Sequence, residues 1–124
     1  MTIKSRDHLS TSQNPYRHKE YSISLSQKIS RHGQEYQIHL CYVPDKLLLC
    51  PESWAGYLDF AFVNTPDSPE TLAHDILEDI MDQIIPRWVK INLHQNENKF
   101  GQTVQIKVED FQPGWKNDRL LQRP

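Results

Sequence analysis

One stretch constrains the fold more than any other, Ser68 to Ile91, SPETLAHDILEDIMDQIIPRWVKI. Ser68 is a good N-cap, and Pro69 falls where a first-turn proline is harmless because that N–H has no intrahelical partner. Leu72, Ala73, Ile76, Leu77, Ile80, Met81 and Ile84 recur at helical spacing and form one apolar stripe. His74, Asp75, Glu78, Asp79 and Asp82 take the other side. Pro86 ends the helix, and Trp88-Val89-Lys90-Ile91 begins a strand. That stripe is a core feature, and the other elements are organised around it.

The flanking segments supply the sheet. Tyr21, Ile23, Leu25 and Ile29 alternate with Ser22, Ser24 and Ser26, which predicts a half-buried strand. Arg31-His32-Gly33-Gln34 is a tight connection in which Gly33 can take positive φ. A second strand, Glu35 to Val43, puts Tyr36, Ile38, Leu40 and Tyr42 on one side and Gln37, His39 and Cys41 on the other. Lys46 to Pro51 is an apolar link bounded by prolines. Ser53 is placed to cap a short helix carrying Trp54, Leu58, Ala61 and Phe62, and Asn64-Thr65-Pro66-Asp67 is a loop. After Pro86, Val89, Ile91 and Leu93 alternate, His94 to Lys99 connects, and Phe100 to Phe111 forms the last strand. The order predicts an α+β layer fold: a four-stranded antiparallel sheet in ββααββ order with the helices on one face. Residues 20–111 make this domain, 1–19 a flexible N-terminal tail and 112–124 a polar C-terminal tail. Such a sheet leaves two edges, and pairing of edges between copies into a ring or barrel follows as an expectation.

Composition narrows the function classes. The 124 residues suit one domain with one core. No apolar run approaches a membrane span, and the first residues carry no apolar signal region. With two cysteines read as reduced thiols, a cytoplasmic protein is expected. The net charge of −2 and the scatter of basic residues argue against direct nucleic-acid binding. The six histidines show no metal-ligand spacing, so no metal is expected.

Three residues invite a chemical role. Cys41 lies inside a strand, where a buried inert thiol is the ordinary reading. Cys50 precedes Pro51 in a link close to a helix start, a place where a thiol can be activated. Glu70 stands in the first turn of the long helix, where a carboxylate is favoured by the macrodipole whether or not it binds anything. No glycine-rich phosphate loop exists among the four glycines.

The order of elements, with Tyr42-Val43-Pro44-Asp45, Ser53, Tyr57-Leu58, Glu70 and Pro86-Arg87-Trp88, resembles the tunnelling fold. Within it the chain is most similar to the 7-cyano-7-deazaguanine (preQ0) reductases of queuosine biosynthesis, a tRNA-modification pathway. The resemblance covers Glu35 to Val108 and implies multimeric barrels and a small heterocyclic ligand. It implies that Glu70 binds the edge of a deazapurine, purine or pterin, as a bidentate carboxylate can. The family's glutamate-serine-lysine-serine stretch falls on Cys50-Pro51-Glu52-Ser53, which adds Cys50 and Ser53 to the substrate-binding candidates. NADPH is the cofactor the resemblance implies, and the strand start associated with it is reduced to Lys99-Phe100-Gly101, leaving Lys99 and Gly101 as cofactor-binding candidates.

The reacting groups depart from the family. Its nucleophilic cysteine and proton-donating aspartate belong in Leu25 to Glu35, which contains neither. Gln27 is nearest the nucleophile's place and Gln34 or Glu35 nearest the acid's. The expectation is therefore a divergent, oxidoreductase-like protein that keeps the anchoring glutamate without ordinary nitrile reduction. Two alternatives stand beside it: an enzyme of different chemistry, with Cys50 as its candidate catalytic residue, and a non-catalytic assembly or partner-binding protein.

Overall fold

The computed structural model describes residues 8–31, 33–64 and 68–121. His32 of the expected turn and Thr65, Pro66 and Asp67 of the expected loop lie outside the described residues. Four strands form the main sheet: β2 (Ile23–Arg31), β3 (Gln34–Val43), β5 (Trp88–Gln95) and β6 (Val104–Phe111), antiparallel throughout and in that spatial order. Two helices, α1 (Pro51–Asn64) and α2 (Pro69–Ile84), interrupt the strands and pack on one face.

The alternation read from sequence sets the register. Leu25 lies opposite Leu40, Leu40 opposite Ile91, and Ile91 opposite Val108, so one apolar row crosses all four strands. Ile38, Leu40, Val89, Ile91 and Leu93 are fully buried against Leu72, Ala73, Ile76, Ile80 and Ile84 of α2 and Trp54, Tyr57 and Leu58 of α1. The α2 stripe is thus the floor of the core, as the helical spacing requires.

The ends of α2 follow from local chemistry. Ser68 takes an extended conformation and its Oγ accepts from the Thr71 N–H. At the other end Ile85 adopts the left-handed region, φ 49°, before Pro86, and its side chain stays exposed. A branched residue there costs about 1–2 kcal/mol relative to the right-handed conformation.

Several expectations need correction. The plain ββααββ order is supplemented by a second, two-stranded sheet in which β1 (Thr11–Gln13) pairs with β4 (Leu47–Leu49). Part of the segment expected as a free tail, residues 8–14, is tied to the domain, while residues 15–19 stay exposed. Leu9 is buried, Asn14 is 2 % exposed, and His8 stacks on Phe60 at 4.3 Å. The tail expectation failed because the segment's few apolar residues show no period, yet its backbone can complete the Leu47–Leu49 strand. Ser53 is not the cap of α1: the helix begins at Pro51, and the Cys50 carbonyl accepts the Trp54 N–H at 3.1 Å. The last strand starts at Val104 rather than Phe100. Residues 98–101 form a turn in which Asn98 Oδ1 accepts from the Phe100 and Gln102 N–H groups, with Gly101 at φ +73°. Residues 112–121, expected as tail, fold back onto the sheet and end in α3 (Asp118–Leu121). The Trp115 indole donates to Glu20 at 2.7 Å.

Candidate functional site

The direction of each helix decides which candidate residues can meet. One end of the sheet carries Val43 opposite Trp88; the other carries the Arg31–Gln34 turn and Gln95 opposite Val104. α1 starts beyond β4 at the first end and runs to the second, where Asp59 pairs with Arg31 at 3.1 Å and Phe62 meets Tyr36 at 5.1 Å. α2 runs back, and the Tyr57 hydroxyl donates to Asp79 at 2.6 Å between the two helices. Cys50 and Ser53 therefore lie at the first end and Glu70 at the second, separated by the length of α1, about 20 Å.

Cys50 and Ser53 are brought together. Ser53 Oγ lies 2.8 Å from the Cys50 carbonyl, to which it donates, and accepts from the Ser10 N–H at 2.9 Å. The Cys50 N–H donates to the Ser10 carbonyl at 3.0 Å. These bonds tie the N-terminal segment to the start of α1, which occupies the Ser53 hydroxyl. Lys99 and Gly101 share the second end with Glu70, in the β5–β6 turn, where the Lys99 ammonium sits 5.2 Å from the Phe100 ring centroid.

Glu70 is fully exposed in the first turn of α2. The Ser68 hydroxyl donates to its Oε2. That bond, followed by one from its own backbone N–H, holds its carboxyl below the ordinary glutamate range. Its carbonyl accepts a hydrogen bond from His74 Nδ1–H at 2.8 Å, which assigns that tautomer. Neither α1 nor α2 contains a lysine or arginine, while both carry acidic residues. An ionised carboxylate in such surroundings repels anions and suits a neutral ligand presenting N–H donors.

The positions that would carry reacting groups are filled differently. Gln27 is half-buried on the helix-covered face of β2, opposite Ile38. Gln34 Nε2 donates to the Asn96 carbonyl, and Asn96 Nδ2 donates to Glu35 at 3.3 Å. The ladder runs unbroken from Ile23–Tyr42 to Arg31–Gln34, with Gly33 at φ +76° closing it. Beside it lies a cleft of about 240 Å³ lined by Lys28, Ser30, Glu35, Gln37 and Asn96 among others. Sequence reasoning missed that cleft, since its residues come from β2, β3 and the residue after β5, and only the register unites them.

The motif residues behind the resemblance have structural work here. Arg87 lies 3.5 Å from Asp45 and donates to the Arg17 carbonyl at 2.8 Å and the Lys19 carbonyl at 3.3 Å. Gln112 donates to Asp45 Oδ2 at 3.0 Å, and Asn14 donates to the Asp45 carbonyl at 2.8 Å. Buried Tyr42 accepts the Leu49 N–H at 3.0 Å, and burial pushes its phenol above the ordinary value. Tyr57 is pushed far higher by burial and by Asp79. Both phenols are neutral braces at physiological pH.

The fold is thus an α+β domain with one helix-covered and one open sheet face. The chain is similar to the NADPH-dependent 7-cyano-7-deazaguanine reductase of Syntrophus aciditrophicus (strain SB), with 30% identity over 78 residues. The match covers 63% of this chain and 54% of that protein, so the chain spans about half the length of the curated relative. No family model matches. Among the described residues no helix is long and apolar enough to cross a membrane.

Proposed function

We propose that this chain is a divergent relative of the preQ0 reductases, with the tunnelling fold, that binds a deazapurine, purine or pterin through Glu70. The proposal places it in the cytoplasm, in a role connected with queuosine and tRNA modification. The observation that carries it is the Glu70 carboxylate: ionised, fully exposed at a helix start, and oriented by the Ser68 hydroxyl. Assembly is part of the reading. β2 and β6 are the outer strands, each paired on one side within the protomer, and edge pairing between copies would bring a second chain to the exposed Glu70. Such assembly is the route by which an exposed carboxylate becomes part of an enclosed site. Ordinary NADPH-dependent nitrile reduction is not included, because Gln27 is nearest the place where the resemblance puts the nucleophilic cysteine, and Gln34 or Glu35 nearest that of the aspartate.

Titration calorimetry with preQ0, guanine and pterin, on wild type and Glu70→Gln, tests the ligand. Binding by wild type, weakened about tenfold or more in the variant, is the expected result. Absence of heat with all three compounds defeats the reading. An NADPH-consumption assay with preQ0 is expected to show no turnover, and turnover would overturn the exclusion of reduction. Light scattering should give a multimer; a strict monomer contradicts the interface.

A further inference from the structure

The open face of the sheet carries a second site that owes nothing to Glu70. At the first end the chain folds back over this face, and Trp88, Phe111, Trp115 and Leu121 line a cavity of about 290 Å³ together with Glu109 and Asn117. Trp88, 7 % exposed, forms its floor, while Phe111 remains 50 % exposed. The wall is held in place: Trp115 and Asn117 both donate to Glu20, at 2.7 and 3.4 Å. A second cleft of about 240 Å³, lined by Lys90, Lys107, Val108 and Glu109, adjoins it, because Glu109 belongs to both.

The register orders these groups along one line. Trp88 lies opposite Phe111, Lys90 opposite Glu109 and Asn92 opposite Lys107. Successive same-face rows are about 7 Å apart. An aromatic floor is therefore followed by a carboxylate beside a lysine, then by a second lysine. Trp88 Nε1 donates to Glu109 Oε2 at 3.0 Å, which fixes that carboxylate and leaves Oε1 without a hydrogen bond among the described residues. Lys90 and Lys107 make no ion pair with another described residue.

We propose that this double cavity binds a nucleoside 5′-monophosphate whose base carries an exocyclic amino group. The base lies against the aromatic walls, where stacking is sequence-tolerant. Its amino group donates to Glu109 Oε1, and the phosphate meets Lys90 and Lys107. The two cavities share Glu109, and one small ligand reaches both across it. Lys116, the third lysine of the lining, is paired with Asp118 at 3.6 Å, so only Lys90 and Lys107 are left for a phosphate and the surface is poorly matched to a polyanion.

Quenching of tryptophan fluorescence by GMP, AMP, UMP and guanosine tests the site, since Trp88 and Trp115 are two of the three tryptophans. GMP and AMP are expected to quench, UMP to bind more weakly, and guanosine to bind about tenfold more weakly than GMP. Lys107→Ala should weaken GMP about tenfold and leave guanosine unchanged. Trp115→Ala, a partly exposed position outside the core, should abolish the response. Glu70→Gln should leave GMP binding as in wild type, which separates this site from the proposed heterocycle site. The proposal fails if no mononucleotide quenches, if GMP and guanosine bind wild type equally, or if only single-stranded RNA binds.

Discussion

The two faces of the main sheet are built from the same strands and could hardly differ more. The helix-covered face holds Ile38, Leu40, Ile91 and Leu93 at zero exposure under α1 and α2. The open face holds Ser26, His39, Asn92 and Lys107 in one row, with Ser26 Oγ and His39 Nδ1 2.6 Å apart and Gln105 donating to Asn92 at 3.2 Å. Charge separates in the same way: α1 and α2 carry acids and no lysine or arginine, whereas Lys28, Lys90 and Lys107 all project from the open face. Stability resides on the first face, and freedom to bind on the second. Period-two alternation makes that division of labour possible in a single sheet.

The contrast can be tested by substitutions matched across the sheet. Ile91→Ala, in the buried row, should cost about 3–4 kcal/mol in urea unfolding, because it removes transfer free energy and leaves a cavity. Its neighbour Asn92→Ala, facing the other way, should change stability by less than about 0.5 kcal/mol. A comparable cost at both positions would mean that the open face is covered by a tightly bound copy.

The next effect in size is a pH dependence to which Tyr57 of the helix layer contributes most, with Tyr42 of the sheet raised in the same direction. Burial raises the Tyr57 phenol far above its unfolded value of 10.0. The stability it represents is fully present below pH 10, and is lost above it as the unfolded chain ionises and the fold cannot. The slope is about 1.4 kcal/mol per pH unit from this residue alone. Tyr57→Phe should remove that slope, and should itself cost about 1.5 kcal/mol by taking the hydrogen-bond donor from Asp79. Unfolding measured at pH 9 and 11 on both proteins checks the sign.

Smaller effects probe the ends of α2. Ser68→Ala should destabilise by about 1 kcal/mol through the lost cap. It should also move the Glu70 carboxyl back up toward the ordinary range, read by NMR titration, since the Ser68 hydroxyl is the main cause of its depression. Ile85→Gly should stabilise by somewhat under 1 kcal/mol, the relief of a left-handed branched residue being partly offset by glycine's entropy. A loss of stability there would show that the exposed Ile85 side chain is buried by a neighbour in an assembly.

Much of the architecture was legible because it is periodic. The α2 stripe, the Ser68 cap, the stop at Pro86 and the inward rows of β3 and β5 all follow from spacing and local sterics, which need no distant partner. β1, the fold-back of residues 112–121 and the true start of α1 were not legible. Their bonds run from Cys50 to Ser10, from Ser53 to Ser10 and from Trp115 to Glu20, across tens of residues. The candidate site was legible only as residue types. Glu70, Cys50 and Ser53 could be picked out one by one, but their separation depends on which way each helix runs.

By itself, then, the sequence determined the α+β class, the helix that floors the core, and the absence of a cysteine or aspartate between Leu25 and Glu35. These are properties of local spacing and identity. Tertiary structure alone decided that Glu70 and Cys50 stand at opposite ends, and that Asp45 and Arg87 clamp the packed N-terminal segment. It also gathered lysines scattered along the chain onto one face. The physical reason is strand register: residues far apart in sequence become neighbours only when hydrogen bonding between strands fixes which rows align.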